Sequence, residues 1–236
     1  SKFPMHKVKD KMEEVPSFEA FDKMVGDAMK TAGGSVVLLS STVVSPSAKD
    51  IIGKFPNLRH VQYDAVSCSG MLLANEASGF GRKLPNYKFD AAKVIVSLGA
   101  DFLGTWLSPV EHARGYAKGR KIDEKNPVMS KHYQFESHLS MTGSNADERF
   151  THRPSETGAV ALALAAAVGI SGVSSFIADA KLKEAIDKVA ADLKGHNGEA
   201  LVVCGSNDKN VQVIVNAINN SIGAFGKTIA WGSPVN

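Results

Sequence analysis

The sequence predicts an α/β protein with a mainly parallel, doubly wound (Rossmann-like) sheet. Two observations carry that reading. Apolar runs such as Val94–Leu98 and Ala200–Cys204 are continuous rather than alternating, as in strands covered on both faces, and each breaks into a glycine-containing polar loop. Between such runs lie stretches with apolar residues every three or four positions, opened by Ser or Pro and closed by Gly, which is helix punctuation. Strand, helix and strand joined by short connections then call for right-handed crossovers. With 236 residues, of which 44% are hydrophobic and 22% charged, the chain is long and apolar enough to bury a full core.

In chain order, residues 1–15 are charged and lack an apolar period, and read as a lead-in arm. Ser17 caps a helix marked by Phe18, Phe21, Met24, Val25, Ala28 and Met29. Val36–Leu39 reads as a buried strand, Pro46 opens a second helix, and Arg59–Tyr63 is the next strand. Ser69–Ala77 is a helix, and Val94–Leu98 is the strand around which the chain is organised. That strand runs through Gly99, Asp101, Gly104 and Trp106 into a helix from about Pro109. A basic connector, Lys118–Asn126, leads to a strand over Lys131–Glu136 with Tyr133 and Phe135 on one side. The loop Ser140–Asp147 and an extended piece, Arg149–Arg153, precede an alanine-rich helix to Val168. Gly169–Ser175 is a break. A helix over Lys181–Leu193, the strand Ala200–Cys204, a helix over Val211–Ile218 and a strand over Thr228–Trp231 complete the chain. The expected domains are therefore a Rossmann-like α/β domain over 16–170 and a smaller, incomplete α/β portion over 171–236. The end at Trp231–Asn236, just past a strand, reads as a cut from a longer chain.

Several function classes are disfavoured. A net charge of +3 with no basic run interleaved with aromatics gives no footprint for nucleic acid. The apolar stretch Ala159–Ile170 is too short and too rich in alanine to span a membrane. Cys68 and Cys204 cannot by themselves build an iron–sulfur cluster or a tetrahedral zinc site, and read as buried thiols. His112, His132, His138 and His152 cluster in sequence but lack the helical spacing of a metal pair, and read as structural. No serine sits in G-x-S-x-G, and no Walker sequence occurs. Glu136 and Asp147 could pair as carboxylates, with a salt bridge or cap the commoner role. No catalytic or metal-ligating constellation emerges. The strand-end loops supply candidate ligand-pocket residues instead: Gly99, Asp101, Gly104, Thr142, Gly143 and Asn145.

The run FTHRPSETGAVALALA from Phe150 to Ala165, preceded by Asn145, Ala146 and Asp147, resembles a block of the molybdopterin oxidoreductases. There an Ala-Asp pair, a short strand and an Arg-Pro-Gly-Thr-Asp turn lead into an alanine-rich helix. The strand-loop Val94–Gly104 similarly resembles the segment where those enzymes' sheets meet the nucleotide part of the pterin cofactor. LPNYKF from Leu84, SLGADFLGTWLSPVE from Ser97, MSKHYQFES from Met129 and MTGSNADERFTHRPSE from Met141 are similar to one branch, the iron–sulfur B subunit of bacterial alternative complex III. The resemblance spans Val36 to Trp231 and covers only the central α/β portion of that subunit's front half.

That resemblance implies a non-catalytic scaffold in a periplasm-facing electron-transfer subunit of a membrane-bound, quinol-oxidising respiratory complex. It implies no cofactor in this portion, iron–sulfur clusters in a cysteine-rich module of the same parent chain, and contacts with that module and with other subunits. Neither nucleic acid nor a direct membrane span is implied. The alternative is part of an active oxidoreductase that binds molybdopterin guanine dinucleotide, with the six loop residues lining the nucleotide pocket. The departures favour the scaffold. The turn reads Arg153-Pro154-Ser155-Glu156-Thr157, so Ser replaces the glycine that admits a ligand, and Glu156 brings negative charge to a helix N-terminus that could otherwise hold phosphate.

Overall fold

The computed structural model describes residues 2–33, 36–43, 45–55, 57–122, 124 and 127–231. Part of the expected connector Lys118–Asn126, and the end of the chain after Trp231, lie outside the described residues. The chain divides between Val66 and Ser67 into two compact units.

The first unit opens on an antiparallel hairpin, β1 (Met5–Val8) and β2 (Lys11–Glu14), where the sequence suggested an arm. Its register pairs Val8 with Lys11, and Lys9 turns the chain at φ 54°. Helix α1 (Phe18–Thr31) is capped by the Ser17 hydroxyl, which accepts the Ala20 N–H. Strand β3 (Val36–Ser40), helix α2 (Pro46–Gly53) and strand β4 (Leu58–Gln62) form a parallel βαβ unit in which Val36 pairs with Leu58. Ser45 caps α2 and Pro46 occupies its first turn, where a missing N–H costs nothing. The sequence suggested that β3 is buried on both faces. Instead Val37 and Leu39 are 58% and 67% exposed while their neighbours are partly covered, so only one face of this two-stranded sheet is packed.

The second unit contains the main sheet. Its elements are α3 (Ser69–Ala77), β5 (Asn86–Tyr87), β6 (Val94–Leu98), α4 (Pro109–Gly119), β7 (Lys131–Glu136), α5 (Met141–Ser144), β8 (Glu148–Thr151), α6 (Thr157–Ala167), α7 (Ala180–Gly195), β9 (Ala200–Cys204), α8 (Lys209–Ser221) and β10 (Ile229–Ala230). The four-stranded sheet has the order β8-β7-β6-β9 and is parallel throughout. The chain thus steps outward from β6 through β7 to β8, then returns to lay β9 on the other side of β6. That reversal is the switch point at which doubly wound sheets open a crevice beyond the strand ends.

The sequence reading placed β3, β4 and β6 in one sheet. Among the described residues β3 and β4 pair only with each other, and β6 pairs with β7 and β9. The final strand also lies outside the main sheet, since β10 pairs antiparallel with β5. The break after Val168, taken as a domain boundary from sequence, falls inside the second unit, where α6 packs against both α7 and α8.

Burial explains the sheet. Every residue of β6 and β9 is buried, and Ile95, Val96, Leu201, Val202 and Val203 are fully so. Each such side chain contributes about 1.5–3 kcal/mol of transfer free energy. Strand β7 differs: Tyr133 and Phe135 occupy one face as expected, but the opposite face, His132, Gln134 and Glu136, is buried as well. Those side chains bond in series, His132 Nε2 with Gln134 Oε1 at 3.3 Å and Gln134 Nε2 to Glu136 Oε2 at 3.0 Å. The Tyr116 hydroxyl lies 3.2 Å from His132 Nδ1. His112 sits among aromatic rings, 5.0 Å from Phe89 and 5.5 Å from Trp106 between centroids, with its buried Nδ1 unpartnered. Cys204 is buried in β9 and Cys68 half-buried beside α3, and no disulfide joins them.

Burial pushes the imidazoles of both His112 and His132 from 6.5 down to about 4. The unfolded chain therefore takes up these protons first. The stability gained by keeping the rings neutral is complete above the unfolded value and is lost as pH falls toward the folded one. Urea denaturation from pH 7 down to 4.5 should show a falling midpoint, and His112→Phe, which keeps the ring and removes the proton site, should flatten part of that fall. A variant with the same pH dependence as the parent would show that burial of His112 does not set it.

Candidate functional site

At the carboxyl edge of the main sheet the loops after β6, β7, β8 and β9 come together. At the switch point itself backbone meets backbone. Gly99, at φ +68°, donates its N–H to Phe135 O at 2.7 Å, and Gly205 donates to Leu98 O at 3.0 Å. A Cβ on Gly205 would lie 2.2 Å from Gly99 O, so only glycine lets the two loops close. Asn207 then docks the start of α3: its Oδ1 accepts the Gly70 N–H at 2.8 Å, and a Cβ on Gly70 would lie 2.0 Å from Asn207 O.

Beside this crevice Asp101 organises its own loop. Its carbonyl accepts the N–H groups of Gly104, Thr105 and Trp106 at 3.0, 2.9 and 3.0 Å. Its Oδ1 accepts from the Thr142 N–H at 3.1 Å and the Thr142 hydroxyl at 2.8 Å, and Thr142 Oγ1 in turn accepts the Leu103 N–H at 2.9 Å. A Cβ at Gly104 would lie 2.1 Å from Asp101 Oδ2. Asp101, Gly104 and Thr142 therefore form one closed knot.

Gly143 belongs to a second knot. Its N–H donates to Ser140 Oγ at 2.9 Å, the Ser140 hydroxyl donates to Glu136 Oε2 at 2.6 Å, and a Cβ at Gly143 would lie 1.9 Å from Glu136 Oε1. Glu136 also accepts from Arg149 Nε at 2.5 Å. Burial alone would raise its carboxyl, but the Arg149 guanidinium and the Ser140 donors outweigh that and hold it below the usual carboxylate range. Asp147 pairs separately with Arg120 through two bonds of 2.8 Å, so Glu136 and Asp147 are structural ion-pair members rather than a carboxylate couple. Asn145 stands outside both knots: its Nδ2 donates to Met141 O at 2.9 Å and its carbonyl accepts the Tyr116 hydroxyl at 2.9 Å.

An anion site at strand ends needs backbone N–H groups left over for the ligand. Here the N–H groups of Gly70, Gly99, Gly104, Thr142, Gly143 and Gly205 all donate to protein oxygens, and the nearby Asp101 carboxylate repels a diphosphate. These strand-end loops do not fit the nucleotide end of a pterin cofactor. Among the described residues no group of three or more His, Cys, Asp and Glu side chains is placed to hold a metal ion.

Sequence reasoning missed a different opening. A cleft of about 710 Å³ lies at the ends of β7 and β8, walled by Ser137, by His152, Arg153 and Glu156, and by the segment from Phe176 to Asp179. The Glu156 carboxylate accepts the Arg153 N–H at 2.9 Å, so it caps the turn it sits on. The His152 Nε2 meets Thr157 Oγ1 at 3.0 Å, while its buried Nδ1 has no partner. The 153–157 turn was visible in the sequence, but the facing wall, Phe176 to Asp179, lies between the break at Gly169–Ser175 and the helix from Lys181 and carried no signal there.

No family model matches this chain, and no curated protein matches it. Among solved structures it is similar to acetylene hydratase from Pelobacter acetylenicus, at a TM-score of 0.53 and 14% sequence identity over 99% of this chain. The chain spans 38% of that protein's length. The likeness shows a shared mixed α/β fold.

The Asp101–Gly104 knot has a measurable signature. Gly104→Ala and Asp101→Ala should each lower stability by about 1–3 kcal/mol, through a clash and through a lost charged acceptor respectively. In the double variant the clash has no carboxylate to meet, so urea midpoints should reveal a coupling of about 0.5 kcal/mol or more. Additive losses would show that the two residues do not share one site.

Proposed function

We propose that this chain is a non-catalytic α/β scaffold: a molybdopterin-oxidoreductase-like domain that holds the iron–sulfur module of its parent polypeptide and neighbouring subunits in a membrane-bound, quinol-oxidising respiratory complex. One observation carries the scaffold reading. The loop residues best placed to line a nucleotide pocket spend their hydrogen bonds on one another. Asp101 and Thr142 fasten two loops, Glu136 and Ser140 fasten the turn at Gly143, and Gly205 closes on Gly99. A domain whose strand-end loops are locked in this way offers rigidity, which is what a mount for redox centres and subunits requires.

The narrower assignment, to the iron–sulfur B subunit of alternative complex III on the periplasmic side of a bacterial inner membrane, rests on the sequence blocks from Leu84 to Glu156. No described helix is long and apolar enough to cross a membrane.

A second reading is favoured by the cleft at the ends of β7 and β8. Arg153 and His152 line it beside the first turn of α6, and a nucleotide of molybdopterin guanine dinucleotide in an active oxidoreductase would need such a space.

Elemental and pterin analysis of the full-length protein, purified from its native membranes, separates the two. The scaffold reading expects iron without molybdenum, tungsten or pterin. Stoichiometric molybdenum or tungsten together with pterin would overturn it.

A further inference from the structure

We propose that Tyr116 and His132 form a pH-operated latch on the loop Ser140–Asp147. Protonating His132 commits the single Tyr116 hydroxyl proton to the Asn145 carbonyl, and deprotonating it lets the imidazole compete for that proton. Which atoms of the buried network can donate is fixed from its far end. The Glu136 carboxylate accepts from Arg149 Nε and from the Ser140 hydroxyl, so it is ionised and only accepts. Gln134 therefore turns its amide nitrogen to Glu136, at 3.0 Å, and its oxygen to His132 Nε2, at 3.3 Å. An amide oxygen cannot donate, so His132 Nε2 carries a proton in both states of the ring. The neutral ring keeps its lone pair on Nδ1.

The Tyr116 hydroxyl stands 3.2 Å from that Nδ1 and 2.9 Å from the Asn145 carbonyl. Burial raises the phenol to about 12, so Tyr116 brings one proton at any ordinary pH. With His132 neutral, two acceptors compete for it. With His132 charged, Nδ1–H donates to the Tyr116 oxygen, and the phenol proton has only Asn145 left. The charged state thus makes two bonds where the neutral state makes one. Among the described residues the Asn145 carbonyl has no other donor, so acid gives the loop a fastening that neutral pH divides. The switch relocates protons and not side chains.

Charged and titratable groups face His132 from each element around it. Helix α4 supplies Tyr116 and Arg120. The end of the loop supplies Asp147, which pairs with Arg120 and accepts the His132 N–H at 2.7 Å. Strand β7 itself supplies Glu136 through Gln134, and the Phe102 ring, 5.3 Å away between centroids, adds apolar surface. Burial is the largest influence and pushes the imidazole down to about 4. Arg120 also opposes its charge, while Gln134, Asp147 and Glu136 favour it. The latch therefore engages in acid, over the range in which the fold as a whole loses stability.

The test is nitrogen and carbon NMR of the full-length protein, with the His132 ring assigned through its own backbone resonances. At pH 7 the ring should be the Nε2–H tautomer. As pH falls from 7 to 4, the Asn145 carbonyl carbon should titrate with the His132 midpoint. Tyr116→Phe keeps an aromatic ring against Phe102 and removes only the hydroxyl. It should lower the His132 midpoint by about one pH unit, which is about a tenfold loss of proton affinity, and abolish the step at Asn145. An Nδ1–H tautomer at pH 7, an Asn145 carbonyl indifferent to His132, or a Tyr116→Phe midpoint equal to or above the parent's would each overturn the proposal. The tautomer is read at neutral pH on the unsubstituted protein, so it tests the latch even if acid or the substitution unfolds the chain.

Discussion

The Asp101 carboxylate holds the strand-end face of the main sheet together. It draws two bonds from Thr142 while the Asp101 carbonyl collects three consecutive amides of its own loop. A bond to a charged acceptor is worth about 1.5–3 kcal/mol, and Thr142 is fully buried, so its hydroxyl has no water to turn to. The loop after β6 and the short helix after β7 are therefore one mechanical piece. Further along the same loop, Trp106 is delivered against Tyr87 at 5.2 Å and the chain enters α4 at Pro109. The aromatic packing around His112 follows from where that loop is pinned.

The polar face of β7 supports the same piece from below. A buried polar series is stabilising only when its members are satisfied, because each orphan carries its full desolvation cost. His132, Gln134 and Glu136 meet this condition through one another, through Tyr116 and Ser140, and through the flanking ion pairs of Arg149 and Arg120. Asp147 bridges the two systems, since one of its oxygens also accepts the His132 N–H at 2.7 Å. Such a network has a single good arrangement, which makes the edge of the sheet stiff rather than adaptable.

Much of this was legible in sequence where one physical signal dominates. Strands β6 and β9 fall on the predicted residues because continuous apolar runs leave few alternatives, and β7 does so through the alternation of Tyr133 and Phe135 with polar residues. Helix α3 also falls on its predicted residues. The hairpin over residues 5–14 was not legible, because its burial is slight and no apolar alternation marks it. The exposure of Val37 and Leu39 was not legible either, since an apolar run reports propensity and not how many layers cover it. At the site, the six candidate residues lie in segments that follow strands, and their hydrogen-bonding roles were hidden. Which carboxylate fills the space above a glycine, as Asp101 does at Gly104 and Glu136 at Gly143, is set by how each loop folds back, and the Asp101–Thr142 bond joins residues 41 apart in the chain, which no local pattern records.

Comparing the two openings at this edge clarifies what the domain can recognise. Recognition by backbone depends on N–H and C=O groups left without protein partners. At the β6–β9 crevice those groups are consumed and the Asp101 carboxylate stands close by, so phosphate finds neither donors nor a favourable field. The cleft at the ends of β7 and β8 is lined instead by charges of both signs, the Glu156 and Asp179 carboxylates against the Arg153 guanidinium, and both carboxylates already accept backbone N–H groups.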